Sequence, residues 1–282
     1  MAETPRQFHF VFGLREQTET LHPVYFLCLQ SCLEVNRPEA IHFHYRNEPW
    51  GPLWERIRPH LTLHHLGAKP RDYDTSRYAE TAEGRFIARA GIDYAHEADF
   101  VRMDALIEHG GVYADMDTLF VRPYPEAWYA RAFLIGEEAG VRGEDGLIKP
   151  SLCNAVMFAQ RGAAFARAWR EEMGRSFDGT WSRHSCQAAA RLWGAHQKDL
   201  HVLPEDFFYA FPSTPAGLRA LLEEDAEVPE QVHSIHLWAH LWWNQRRIDF
   251  SPVHGGMLTA ENIRNIDTTY NRLARRFLPS AE

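Results

Sequence analysis

The alternation of short apolar runs with helix-length segments in the first third of the chain limits its fold most. Phe8 to Phe12 is a compact apolar run that stops at Gly13, and it reads as a strand. Pro23 opens a helical stretch to Val35, with Tyr25, Leu29, Cys32 and Leu33 on one side. Ile41 to Tyr45 and Leu61 to Leu66 read as the second and third strands. Two strands joined by a helix are parallel neighbours, because a hairpin needs only a short turn. The expected architecture is therefore α/β, a mostly parallel central sheet of Rossmann-like type flanked by helices.

The rest of the chain continues this pattern. Residues 69–95 read as a helical excursion. Glu97 to His109 reads as a helix with Phe100, Met103 and Ile107 on its buried stripe, closed by Gly110-Gly111 as a left-handed cap. Val112 to Ala114 and Thr118 to Val121 follow as strands, then Phe133 to Gly136 and Ala155 to Ala159. Helices are expected over residues 162–174 and 185–197, and a late strand over Ser234 to Leu237, before Trp238, Trp242 and Trp243. There is no repeat, low-complexity tract or linker, so residues 1–282 read as one domain.

Between the strands Val112–Ala114 and Thr118–Val121 stands Asp115-Met116-Asp117. Carboxylates at i and i+2 of an extended backbone point to one side. Hard oxygen ligands suit Mn²⁺ or Mg²⁺, which keep open positions for phosphate. At a strand end, such a pair can hold a cation against a diphosphate and neutralise charge as the diphosphate leaves.

The surrounding string is more specific. Ala98-Asp99, two residues, Arg102, a helix, Gly110-Gly111, Tyr113 and Asp115-Met116-Asp117 resemble the DxD-motif sugar transferases. That group includes the α-1,4-glycosyltransferases, the yeast-type initiating mannosyltransferases and, more distantly, the clostridial glucosylating toxins. The match is strongest over residues 95–125, with weaker continuation at Asn154 and at His236-Leu237-Trp238. The resemblance implies a GT-A type nucleotide-sugar fold and a metal-dependent hexosyltransferase. Its donor would be a nucleotide-diphosphate sugar, a UDP-sugar ahead of a GDP-sugar, and its reaction would retain configuration. It places Asp99 and Arg102 on the donor sugar, Tyr113 beside the donor, and Asp115 on ribose and metal. Asp117 would be the direct metal ligand, and Asn154 would face the donor. His236 would complete the Mn²⁺ (or Mg²⁺) shell, and Trp238 would cover the β-phosphate or sugar from a C-terminal stretch that closes over the pocket. His233, His240 and His254 are further candidates. Phe12 and Gly13 occupy the place of the base-contacting strand end, but no base-stacking residue is assigned there. The acceptor would be a glycan, a lipid-linked glycan or a protein. No residue pattern nominates a catalytic base, which fits deprotonation of the acceptor by the departing phosphate.

Two other classes use similar residues. Asp115-Met116-Asp117-Thr118 resembles the nucleophile motif of the haloacid-dehalogenase phosphatases, but Thr stands one place early and two glycines precede the strand. A non-catalytic carbohydrate-binding protein on a decayed transferase fold would keep the sheet, yet here every motif carboxylate is present. The net charge of −8, with no basic block, argues against nucleic acid. Aromatic residues make up 13% of the chain, with nine Trp, which suits sugar stacking as well as core filling. Cys28, Cys32, Cys153 and Cys186 lack zinc spacing and read as reduced thiols. The N-terminus has no apolar signal core, and no apolar run reaches the ~20 residues that span a bilayer. A cytoplasmic protein with no transmembrane segment, able to touch a membrane only peripherally, is expected.

Overall fold

The computed structural model describes residues 3–67, 75–79, 81–142, 147–239 and 256–280. The strands are β1 (Gln7–Val11), β2 (Ala40–Tyr45), β3 (Thr62–His65), β4 (Gly111–Ala114), β5 (Thr118–Phe120), β6 (Phe133–Arg142), β7 (Ile148–Ala159), β8 (Leu200–Leu203) and β9 (Ser234–His236). The helices are α1 (Pro23–Asn36), α2 (Pro52–Ile57), α3 (Ala82–Ala90), α4 (Tyr94–His109), α5 (Glu126–Tyr129), α6 (Ala164–Ser176), α7 (Cys186–Trp193), α8 (Pro215–Leu222), α9 (Ala260–Asn265) and α10 (Thr269–Ala274).

Seven strands form one sheet in the order β3-β2-β1-β4-β7-β6-β8. Only β7 runs against the rest: β1, β2, β3 and β4 pair in parallel, β7 is antiparallel to β4 and β6, and β8 is parallel to β6. The expected α/β architecture, a mostly parallel sheet flanked by helices, is met.

Strand periodicity sorts the core onto two faces. Val112, Ala114, Val156 and Phe158 join α1 in one apolar cluster, with Phe26 and Leu29 among its members. Their neighbours in the chain, Tyr113, Met157 and Ala159, join Phe100 and Met103 of α4 and Phe165 and Trp169 of α6 in the other. Helix α1 buries more than the expected stripe. Val24, Phe26, Leu27 and Cys28 are enclosed, whereas Tyr25 and Leu33 are only partly covered. Helix α4 starts at Tyr94 and buries His96, Glu97, Asp99 and Arg102 as well as its apolar residues.

Helix α4 does not end in the left-handed turn expected of Gly110. Its φ is +69° but its ψ is −173°, so the chain straightens directly into β4. Both glycines are needed there for lack of room. A Cβ on Gly110 would lie 2.6 Å from Arg161 N, and one on Gly111 would lie 2.6 Å from Gln7 O. The two residues thread α4 into a sheet position closed in by β1 and by the end of β7.

The hairpin of β6 and β7 is longer than the apolar pattern indicates. Its outer half carries Glu137, Glu138, Lys149 and Pro150, which hide the strand signal. Pro150 sits at the register shift between the Glu138–Ser151 and Val141–Lys149 pairs, where it interrupts no paired position.

Candidate active site

Asp115 and Asp117 converge through a turn, not through the extended backbone that their spacing suggests. Asp115 N donates to Ala155 O at 2.8 Å, and Thr118 N donates back to Asp115 O at 3.0 Å. The chain reverses over these residues into β5, which pairs antiparallel with β9 and sets Thr118 opposite His236. That long-range pairing delivers His236 to the carboxylates. His236 Nε2 lies 3.2 Å from Asp117 Oδ1 and 3.7 Å from Asp115 Oδ2. The chain after β9 clamps Asp117 in turn: Leu237 N donates to its carbonyl at 2.9 Å, and Ala239 N to its Oδ2 at 2.6 Å.

The three side chains offer ligand atoms all within 4.8 Å of one another. His236 is buried, and among the described residues neither of its ring nitrogens completes a hydrogen bond. An enclosed imidazole nitrogen aimed at two carboxylates, with no hydrogen bond of its own, fits a ligand to a divalent cation. Burial raises the Asp115 carboxyl above its usual range; the Arg102 guanidinium opposes this and the Asp117 charge adds to it. Burial lowers the His236 imidazole, but the Asp117 and Asp115 charges outweigh it and leave the ring raised.

Beside this group lies a second one whose members bond to one another. Arg102 donates through Nη1 to Asn154 O at 2.9 Å, and its Nη2 sits 3.3 Å from both Asp99 Oδ1 and Asp115 Oδ1. Its guanidinium caps the Tyr113 ring at 4.6 Å, and the Tyr113 hydroxyl donates to Asp115 Oδ1 at 2.6 Å. Asn154 Nδ2 donates to Asp99 Oδ1 at 2.7 Å. Burial works against the ionised form of Asp99, but Arg102 and the His184 hydrogen bond hold the carboxyl below its usual range. Arg102 is likewise penalised by burial and more than compensated by Asp115, Tyr113 and Asp99, so it stays charged. The sequence-expected residues Asp99, Arg102, Tyr113, Asp115, Asp117, Asn154 and His236 are thus one cluster, assembled from α4, β4, β7 and β9.

All of them line a single cleft of about 1070 Å³. Phe12 and Gly13 line it too, at the carboxyl end of β1. Trp238 is built into the wall. It is 7% exposed, its ring centroid lies 4.3 Å from that of His236, and its Nε1 donates to Phe211 O at 2.9 Å. Its backbone φ of +56° is one that non-glycine residues seldom adopt. In this arrangement His236 and Trp238 are part of the cleft wall, and the indole N–H is bonded to Phe211 O. His233 is elsewhere, bonded through Nδ1 to Pro123 O at 2.7 Å. His240, His254, Trp242 and Trp243 lie outside the described residues.

Sequence reasoning missed His184, whose Nε2 lies 3.0 Å from Asp99 Oδ2. It follows Asp99 by 85 positions with no motif around it, so only the packing of the segment before α7 against α4 reveals it. Ser185, Cys186 and Glu138 also line the cleft unheralded.

The fold and this carboxylate–histidine cluster were set beside known proteins. The profile of a family described as "Glycosyltransferase sugar-binding region containing DXD motif" matches residues 54–134. A protein named Glucan organizing enzyme 1, from Cryptococcus neoformans, is 31% identical over 284 residues, covering 97% of this chain and 70% of the relative. Among solved structures, the PaToxG glycosyltransferase aligns at 11% identity over 98% of this chain and 88% of its own, with a TM-score of 0.48. The galactosyltransferase LgtC, solved with donor and acceptor sugar analogs, aligns at 13% identity over 90% of this chain and 96% of its own, with a TM-score of 0.46. The chain belongs to the DXD-motif sugar glycosyltransferases, and it is a glycosyltransferase.

Proposed function

We propose that this glycosyltransferase moves a hexose from a UDP-sugar to a carbohydrate acceptor, with retention of configuration, using a divalent cation. The observation that carries the reading is the meeting of two groups in one cleft: Asp115, Asp117 and His236 beside Asp99, Arg102 and Asn154. The first group would hold Mn²⁺ or Mg²⁺, and such a cation supplies neutralising charge to the departing diphosphate. Arg102 fixes Asp99 and Asp115 relative to one another, so the sugar and the diphosphate are held in one frame. Asp99 and the Asn154 amide face the cleft as acceptor and donor for sugar hydroxyls. Phe12 and Gly13 line the same cleft at the carboxyl end of β1, where the base would lie. The name of the fungal relative favours a glycan as acceptor over a protein. The four cysteines are free and buried, which supports a reducing, cytoplasmic setting, and residues 1–282 are taken as one catalytic domain. No helix among the described residues is long and apolar enough to cross a membrane. A phosphohydrolase or a decayed binding protein gains no support from this arrangement.

Asp99→Asn separates sugar recognition from nucleotide recognition. Transfer should fall by about a hundredfold in kcat/KM, as expected when a positioning contact is misplaced. UDP affinity, measured by calorimetry, should stay within about threefold, because Asp99 is assigned to the sugar and not to the nucleotide. A large loss of UDP affinity would overturn that assignment.

A further inference from the structure

His184 is wholly buried, and it does not line the cleft. Its surroundings are a box of rings: Phe100 parallel at 5.9 Å, Phe177 edge-on at 5.1 Å and His96 edge-on at 4.7 Å. Inside that box, among the described residues, it makes one polar contact, from Nε2 to Asp99 Oδ2 at 3.0 Å, while its Nδ1 meets no partner. Leaving a buried polar atom unpaired costs stability. A phenyl ring would fill an aromatic box without that cost, so packing alone does not account for an imidazole here.

The Asp99 contacts supply the reason. Arg102 sits one turn along α4 and draws the carboxylate toward itself, at 3.3 Å from Oδ1. Asn154 holds the same oxygen from β7. Among the described residues only His184 holds Oδ2, and His184 itself does not line the cleft. Without that hold the carboxylate is free to turn and meet the Arg102 fork with both oxygens, a geometry guanidinium groups favour. It would then leave the orientation in which it lines the cleft here.

We infer that His184 is a positioning residue for donor-sugar recognition, acting through Asp99 and touching neither donor nor acceptor. This rests on the proposed function, and it adds to the motif residues a determinant that lies well outside the motif. Nε2 carries the proton in this arrangement, so a side chain with an N–H donor of similar reach keeps the function and an apolar ring of similar size does not.

The test compares His184→Phe with His184→Gln in the full chain. Three quantities are read: melting temperature, UDP affinity, and kcat/KM for transfer or for donor hydrolysis from a UDP-sugar. His184→Phe should lower kcat/KM about tenfold or more, with UDP affinity within about threefold of wild type. His184→Gln should recover most of the loss, because its amide can donate to Asp99. The inference is overturned if His184→Phe turns over within about threefold of wild type per folded molecule. It is equally overturned if His184→Gln is no better than His184→Phe, or if UDP affinity falls in step with transfer. A wild-type chain that binds UDP but neither transfers nor hydrolyses any sugar would instead remove the proposed function, and this inference with it.

Discussion

Asp117→Asn should abolish transfer while leaving the fold intact. The substitution is nearly isosteric, and its amide oxygen can still accept from Ala239 N, the contact that Asp117 Oδ2 makes at 2.6 Å. What changes is charge. Oδ1, 3.2 Å from His236 Nε2, is one of three atoms placed to bind a cation, and an amide is a poorer ligand for a hard dication. Loss of charge stabilisation at such a point costs about 10²–10³ in rate when a single preorganised contact is removed, and more when a metal is lost with it. Asp117→Ala should lose the same activity and also melt lower, because it strips the buried Ala239 N–H of its acceptor, a loss of about 1–3 kcal/mol. Steady-state transfer assays with melting curves separate the two effects. Turnover of Asp117→Asn within tenfold of wild type would remove the carboxylate from the metal role.

Mild acid should unfold the protein, and histidine is the cause. His9 is wholly buried, and its Nδ1 and His44 Nε2 share a hydrogen bond of 3.1 Å. His9 also donates through Nε2 to Gly110 O at 2.8 Å, behind the glycine pair that threads α4 into the sheet. His96 is buried against Tyr78, whose hydroxyl lies 2.5 Å from its Nδ1. Burial, aided by neighbouring imidazoles, lowers His9 to about 3, His44 to about 2 and His96 to about 3. Each folded-state value lies below the ordinary one near 6.5, so the unfolded chain binds more protons below that pH. The stability these groups contribute is full above pH 6.5 and drains away as pH falls toward 2–3. By pH 5, still above the carboxylate range, each costs about 2 kcal/mol. Three together approach the total stability of a typical domain, about 5–15 kcal/mol. Denaturant melts at pH 7.5, 6.5, 5.8 and 5.0 should show stability falling ever more steeply, with proton uptake on unfolding rising to about two to three at the acid end (about 1.4 kcal/mol per proton per pH unit). A slope below one proton across that window would contradict the burial account of these rings.

The sequence disclosed the parts of this molecule that are local. The β1–α1–β2 unit is written in apolar runs and in Pro23, and the Gly110–Asp117 string carries its chemistry in consecutive residues. Asp99 and Arg102 were legible because they are one helical turn apart in a motif. Contacts made by distant pairing were not legible. The turn that brings Asp115 and Asp117 together is held from outside, by Ala155 on β7 and by the β5–β9 ladder. Nothing near His184 marks it, because its role comes from the segment before α7 lying against α4. The outer half of the β6–β7 hairpin was hidden for a different reason: charged residues and Pro150 erase the alternation that identifies a strand. His236 stood out only through the resemblance, since among sixteen histidines its chemistry depends wholly on what β5 places opposite it.

The most direct measurement of the central claim is a thermal-shift screen of the purified chain against UDP- and GDP-sugars, with and without Mn²⁺ and with a chelator added back. A ligand at a hundred times its Kd stabilises a protein by about 2.7 kcal/mol, which is several degrees at this size. A UDP-sugar should give a shift that needs Mn²⁺ or Mg²⁺, disappears with the chelator and is absent from Asp117→Asn. A protein whose melting temperature ignores every nucleotide sugar in the presence of both cations would contradict it, as would sugar transfer that proceeds undiminished in the chelator.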